Sequence, residues 1–158
     1  MNRLLAWLEH RVPPPVVGVV TAAAMWWLVS TIGQVAAPGQ GLRAWLVGVL
    51  VAVGLAIDLA GLLAFRAHRT TFNPLRPDRA SSLVSTGAYR ITRNPMYLGM
   101  ATLLLAWALY LGNWLALAGP LAYVLYLNRF QIVPEERALL ALFGDEYRQY
   151  MARVRRWL

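Results

Sequence analysis

Residues 85–99 read STGAYRITRNPMYLG, and the fold of the chain turns on this stretch. It sets Tyr89, Arg90, Arg93, Asn94, Pro95 and Tyr97 between long apolar runs. Pro95 has no amide hydrogen with which to continue a helix arriving from Asn94, and it biases Asn94 away from the α region. The stretch therefore predicts a polar turn that delivers the chain into an apolar helix beginning near Met96. Gly87 and Gly99 permit close backbone approach at its two ends. Such a turn places Arg, Asn and Tyr groups at the mouth of an apolar bundle, where a charged small molecule can be held.

Outward from this turn the chain is apolar. Of its 158 residues 59% are hydrophobic and 14% charged, against about half and about a quarter in an average soluble domain. That balance predicts one integral membrane domain over residues 1–158, an all-α helical bundle. Residues 16–35 and 45–65 each have the length of a membrane span, about 20 residues. A short turn, 36–42, joins them. Residues 66–93 form the longest polar segment. Residues 96–111 and 114–130 are two further apolar runs, and a break of only Gly112-Asn113 between them implies a tight antiparallel hairpin. Residues 1–15, with Leu, Trp and charge alternating up to Pro13, Pro14 and Pro15, read as an interfacial segment.

Charge supports about four spans. The basic side chains other than histidine are all Arg, and the net charge is +8. They gather in 1–15, in 66–93 and in the tail from Arg129 onward, whereas the first turn holds only Arg43 and Gly112-Asn113 holds none. By the positive-inside rule, this alternation places both termini and the middle segment in the cytoplasm. Arginines interleaved with spans face anionic lipid headgroups rather than nucleic acid. The all-Arg set and the absence of organelle-sorting signals lean to a prokaryotic inner membrane.

With no cysteine, there is no disulfide, thiolate metal site or Cys nucleophile. His10 and His68 stand alone, without metal-ligand spacing, and no GxGxxG, P-loop or Gly-x-Ser-x-Gly occurs. Asp58 is the one acid within a span. There it makes either an interhelical hydrogen bond, a pairing with an arginine or a functional contact. Gly54 and Gly61 near its face would admit a second helix. Glu135 and Glu136 follow Pro134, which fits an ordinary helix start and equally fits a site for an ammonium group. In the tail, Leu139, Leu140, Phe143, Tyr147, Tyr150, Met151, Val154 and Trp157 recur at helical spacing. Gly144-Asp145 is expected to interrupt this stripe, with Asp145 as N-cap. The stripe either lies on the membrane or folds back over the middle segment.

Two blocks, LVSTGAYRITRNPMYLG at 83–99 and PEERALLALFGDEYRQYMARV at 134–154, together with Asn73-Pro74, resemble the isoprenylcysteine carboxyl methyltransferase and phospholipid methyltransferase superfamily. The resemblance covers about residues 70–157 and leaves the first two spans without a motif. The family's Arg-His-Pro-x-Tyr-x-Gly stands here as Arg93, Asn94, Pro95, Met96, Tyr97, Leu98, Gly99. Asn94 keeps a polar side chain but lacks the titratable imidazole. The resemblance implies that S-adenosylmethionine is bound by Tyr89, Arg93, Asn94, Pro95, Tyr97, Leu98, Gly99 and Glu135. It further implies that Arg129 and Glu136 act on the acceptor, a prenylcysteine-like carboxylate, a phospholipid amine or another amphiphile. Two other readings are a sterol-reductase-like membrane enzyme using a nicotinamide cofactor and a non-catalytic membrane scaffold.

Overall fold

A computed structural model describes residue 9 and residues 11–33, 40–67 and 82–158. Most of the expected N-terminal interfacial segment and of the 36–42 turn, together with His10, His68 and Asn73-Pro74, lies outside these residues. The described residues form helices and no strand. Helix α1 spans Pro14–Ile32 and α2 spans Gln40–Ala67. A 3-10 turn at Gly87–Arg90 leads to α3, Pro95–Leu111. A second 3-10 turn, Trp114–Leu117, opens α4, Ala118–Leu127. A π turn at Asn128–Ile132 then passes into α5, Val133–Phe143, and α6 is Asp145–Arg153.

Prolines start two of these helices. Pro14 and Pro95 each lie in the first turn, where the missing amide hydrogen costs nothing. The prolines at 13–15 thus open the first long helix two residues before the expected span. Helices α1 and α2 are long and apolar enough to cross a membrane, and α3 is a shorter apolar helix. Their outward faces are apolar: Trp27 is 64% and Leu55 55% exposed. A soluble monomer rarely leaves so much contiguous apolar surface in water.

The packing fixes an up-down-up-down order. A Cβ on Gly54 would meet Leu103 and the Gly99 carbonyl, and one on Gly61 would meet Met96 and Pro95, so α2 runs antiparallel to α3. Gly18 faces Met100, and the Trp107 indole donates to the Ala22 carbonyl at 3.0 Å, so α1 runs parallel to α3. The expected hairpin is present. Gly112 ends α3 in the left-handed region at φ 67, and the Asn113 side chain accepts from Leu115 N at 3.0 Å. The Asn113 amide also donates to the Gly33 carbonyl at 2.8 Å, tying α1 to the hairpin. Arg43 shares that end, beside Gly112. Arg66, Arg90, Arg93 and Arg129 all fall at the other end.

Two details depart from the sequence reading. Residues 114–143 are helical throughout, so Glu135 and Glu136 follow a π turn rather than a free helix start. The cause is local: in a regular helix the Pro134 ring would clash with the Phe130 carbonyl four residues back. The π turn, with Val133 N donating to the Asn128 carbonyl, opens the backbone there. At the next junction Gly144 itself, at φ 53, takes the N-cap position expected for Asp145, which is the first residue of α6. The tail folds back. Tyr147, Tyr150 and Val154 are buried with Ala64, Val84 and Tyr89, so the stripe covers the motif instead of lying flat.

Candidate functional site

The site is built where the turn before α3 meets the π turn and the tail. Tyr97, in the first turn of α3, donates its hydroxyl to Glu135 Oε1 at 2.7 Å. Gln131, four residues before Glu135 and buried in the π turn, donates to the same oxygen at 2.8 Å. Part of Glu135 stays open, but the carboxyl sits deep among protein atoms. Burial pushes it up to about 7, against the opposing hydrogen bonds of Tyr97 and Gln131. A buried carboxyl that titrates near neutral pH is suited to a cationic ligand, which would restore its charged form.

Glu136 lies on the adjacent face and is already neutralised. Arg93 Nη2 donates to its Oε1 at 2.6 Å. Arg156 donates from Nε at 3.0 Å and from Nη2 at 2.5 Å, one bond to each carboxylate oxygen. Burial alone would raise this carboxyl, but the two guanidinium groups outweigh it and hold it below the ordinary range. The two glutamates therefore differ: one retains an unmet demand for positive charge, the other has been satisfied.

The turn 92–94 pairs with the chain end. Arg93 N donates to the Arg155 carbonyl at 3.0 Å, in a short parallel bridge between Thr92 and Arg155. The Arg156 carbonyl accepts from Thr92 Oγ1 at 3.1 Å and from Asn94 Nδ2 at 2.9 Å. Trp157 Nε1 donates to Asn128 Oδ1 at 3.1 Å, which fastens the end of the chain to the π turn. Tyr150 donates to the Tyr89 carbonyl at 2.7 Å. Tyr89 stands edge-on to Phe65, and burial, with the Tyr150 and Glu135 charges, raises its phenol far above the ordinary value. It is a neutral wall residue.

The expected site residues divide accordingly. Arg93, Tyr97, Glu135 and Glu136 are brought together, and Asn94 joins them through the Arg156 carbonyl. Pro95 is fully buried as the start of α3, and the Leu98 amide bonds to the Asn94 carbonyl in the same first turn. Gly99 faces the other way. A Cβ there would strike the Asp58 carboxylate, so its role is to seat α2 against α3. Asp58 Oδ1 is buried without a hydrogen-bond partner among the described residues, so this oxygen makes neither expected pairing. Arg129 points to Glu9, at 2.9 Å, and not to Glu136. Gln131, Asn128 and Arg156 were not singled out from the sequence. A lone amide between Phe130 and Ile132 and the polar Asn128 close to the paired acids were the available signals.

A family model described as phospholipid methyltransferase matches residues 42–146. The chain is also similar to a protein of Haemophilus influenzae described as an uncharacterized protein. The two are 54% identical over 63 residues, which is 40% of this chain and 100% of that protein. No solved structure matches it.

Proposed function

The chain belongs to the phospholipid methyltransferase family, and from that premise we propose an integral membrane enzyme that moves a methyl group from S-adenosylmethionine to a lipophilic or amphiphilic acceptor. The observation that carries this reading is Glu135, a buried acid oriented by Tyr97 and Gln131 at the arginine-rich end of the bundle, beside a second acid already paired with two arginines. The donor set fits S-adenosylmethionine, which presents an ammonium, a carboxylate and a sulfonium. Glu135 would take the ammonium and a guanidinium the carboxylate, with tyrosine faces available to the sulfonium. The bound donor would supply an electrophilic methyl carbon and a thioether leaving group.

The chain's own residues need only align the acceptor and exclude water, because methyl transfer is an in-line displacement. Tyr97 and Gln131 orient the Glu135 carboxylate, and the tail covers the mouth. The acceptor class we propose is a prenylcysteine-like carboxylate or a phospholipid amine, entering between helices from the bilayer. Incubation with radiolabelled methyl donor and a bacterial lipid extract tests the reading. A labelled lipid is expected. Absence of label, with thermal stabilisation by a reduced nicotinamide and none by S-adenosylhomocysteine, would replace it with a reductase.

We further place four spans in a bacterial inner membrane, with both termini and the arginine-rich end in the cytoplasm. Shared position of Arg66, Arg90, Arg93 and Arg129 at one end supports this, as does the bacterial relative. Cysteine at exposed Trp114 is expected to label from outside whole cells, and cysteine at exposed Arg90 only after permeabilisation. Outside labelling at Arg90 would reverse the orientation.

A further inference from the structure

We infer that Arg156 is the cation that receives the ligand's carboxylate, and that Thr92, Asn94 and Glu136 are the residues that hold it in position. The inference rests on the methyl-donor reading above and assigns a residue beyond the matched family segment, which ends at residue 146.

Two guanidinium groups meet at Glu136, and only one has capacity left. The Arg93 side chain is 11% exposed. Its Nη1 donates to the carbonyls of Met151 at 3.2 Å and Val154 at 2.7 Å, closing the C-terminal end of α6. Its Nη2 is on Glu136, and its Nε is buried without a partner among the described residues. Turning Arg93 toward a ligand would strip α6 of its cap and leave buried carbonyls unmet, which is costly. Arg93 is therefore committed to the fold.

Arg156 is built differently. Its side chain is 35% exposed. Glu136 grips Nε and Nη2 along one edge of the planar guanidinium, which fixes its orientation. Nη1 has no hydrogen-bond partner among the described residues. The backbone is held just as firmly, by Thr92 and Asn94 on its carbonyl and by Trp157 on the next residue. A permanently charged fork is thus held with one donor to spare. Glu136 follows Glu135 directly in α5, so Arg156 and the unsatisfied Glu135 stand on neighbouring faces. An acid beside a cation suits a group with an ammonium and a carboxylate on one carbon, the amino-acid end of the methyl donor.

The same geometry gives the motif's Asn94 a role that needs no titration. Its amide donates to the Arg156 carbonyl, a bond that an imidazole of different reach would make only in another arrangement. Thr92, Asn94 and Glu136 act through Arg156 and are positioning residues.

Calorimetry on the full chain in lipid nanodiscs tests this with two probes: S-adenosylhomocysteine and its decarboxylated analogue, the same adenosyl thioether bearing an aminopropyl chain. The wild type is expected to prefer the carboxylate-bearing compound by about tenfold or more. Arg156→Gln is expected to abolish that preference by weakening S-adenosylhomocysteine while leaving the analogue unchanged. Arg156→Lys should retain part of it, as a point charge without the fork. A preference that survives in Arg156→Gln, or none in the wild type, overturns the assignment. Should Arg156→Gln not fold, Arg156→Lys carries the test, and a preference equal to the wild type's overturns it. A wild type that binds neither compound removes the methyl-donor reading itself.

Discussion

Gly99→Ala is expected to lower the thermal midpoint and to weaken ligand binding together. A Cβ at this position would land on the Asp58 carboxylate and 2.8 Å from the Gly54 carbonyl oxygen. The carboxylate can swing away, but the backbone oxygen cannot, so α2 and α3 must separate. Overpacking of this kind costs about 1–3 kcal/mol. Alanine's better helix propensity returns roughly 0.5–1 kcal/mol of that. The net loss should be felt in the site as well, because Tyr97 lies two residues before Gly99 and its hydroxyl reaches Glu135 at 2.7 Å. Gly48→Ala is the control: it lies in α2, and a Cβ there meets nothing within 4 Å. It should be neutral or slightly stabilising. Equal stability of the two variants would show that the close approach at Gly99 is not required.

The contrast between these glycines illustrates what was legible in the sequence. Gly54 and Gly61 around Asp58 announced a helix contact, and the contact is there, with Gly99 as its other half. The hairpin at Gly112-Asn113 was equally legible, since a left-handed glycine followed by a capping asparagine leaves few alternatives. Periodicity from Leu139 to Trp157 defined an apolar stripe but not its partner. An amphipathic helix is served by lipid and by protein alike, and only the burial of Tyr147 and Tyr150 against Tyr89 decides between them. The π turn was invisible because helical periodicity is read over whole turns, and one inserted residue shifts the pattern too little. Yet Gln131 lies in that turn and donates to the Glu135 oxygen that Tyr97 also reaches. Arg129 was the natural partner for Glu136 by proximity along the chain. The structure gives it Glu9 instead, 120 positions away, and gives Glu136 the distant Arg156. Long-range charge pairing has no local signature, so a chain with many arginines offers too many equivalent choices.

Glu135→Gln is expected to have the largest effect on binding, and pH reveals why. The folded carboxyl titrates at about 7 rather than at its ordinary 4.5. Burial favours the neutral form, so the fold is relieved of the charge below about 4.5 and bears its full cost once the pH rises through 7. In the ligand-free protein this group therefore removes stability as pH rises across that window. Glu135→Gln, which stays neutral, should flatten that part of the stability curve and raise the thermal midpoint at pH 8. Binding should move oppositely. An ammonium requires the ionised carboxylate, so wild-type affinity for S-adenosylhomocysteine should fall about tenfold between pH 8 and pH 6, given titration at about 7. The variant should bind about tenfold or more weakly at pH 8 and show no such slope. Tyr97→Phe keeps the acid but removes a donor that stabilises its charge, so its midpoint of titration should shift upward and its affinity at pH 7 should drop. Glu136 faces Arg93 and Arg156 and already titrates below the ordinary range, so it cannot supply a slope near neutrality. A flat wild-type profile, or a Glu135→Gln variant that binds as the wild type does, would take Glu135 out of the ligand site. A more stable variant that no longer binds would show that the chain keeps a costly buried acid at this position for the sake of its ligand.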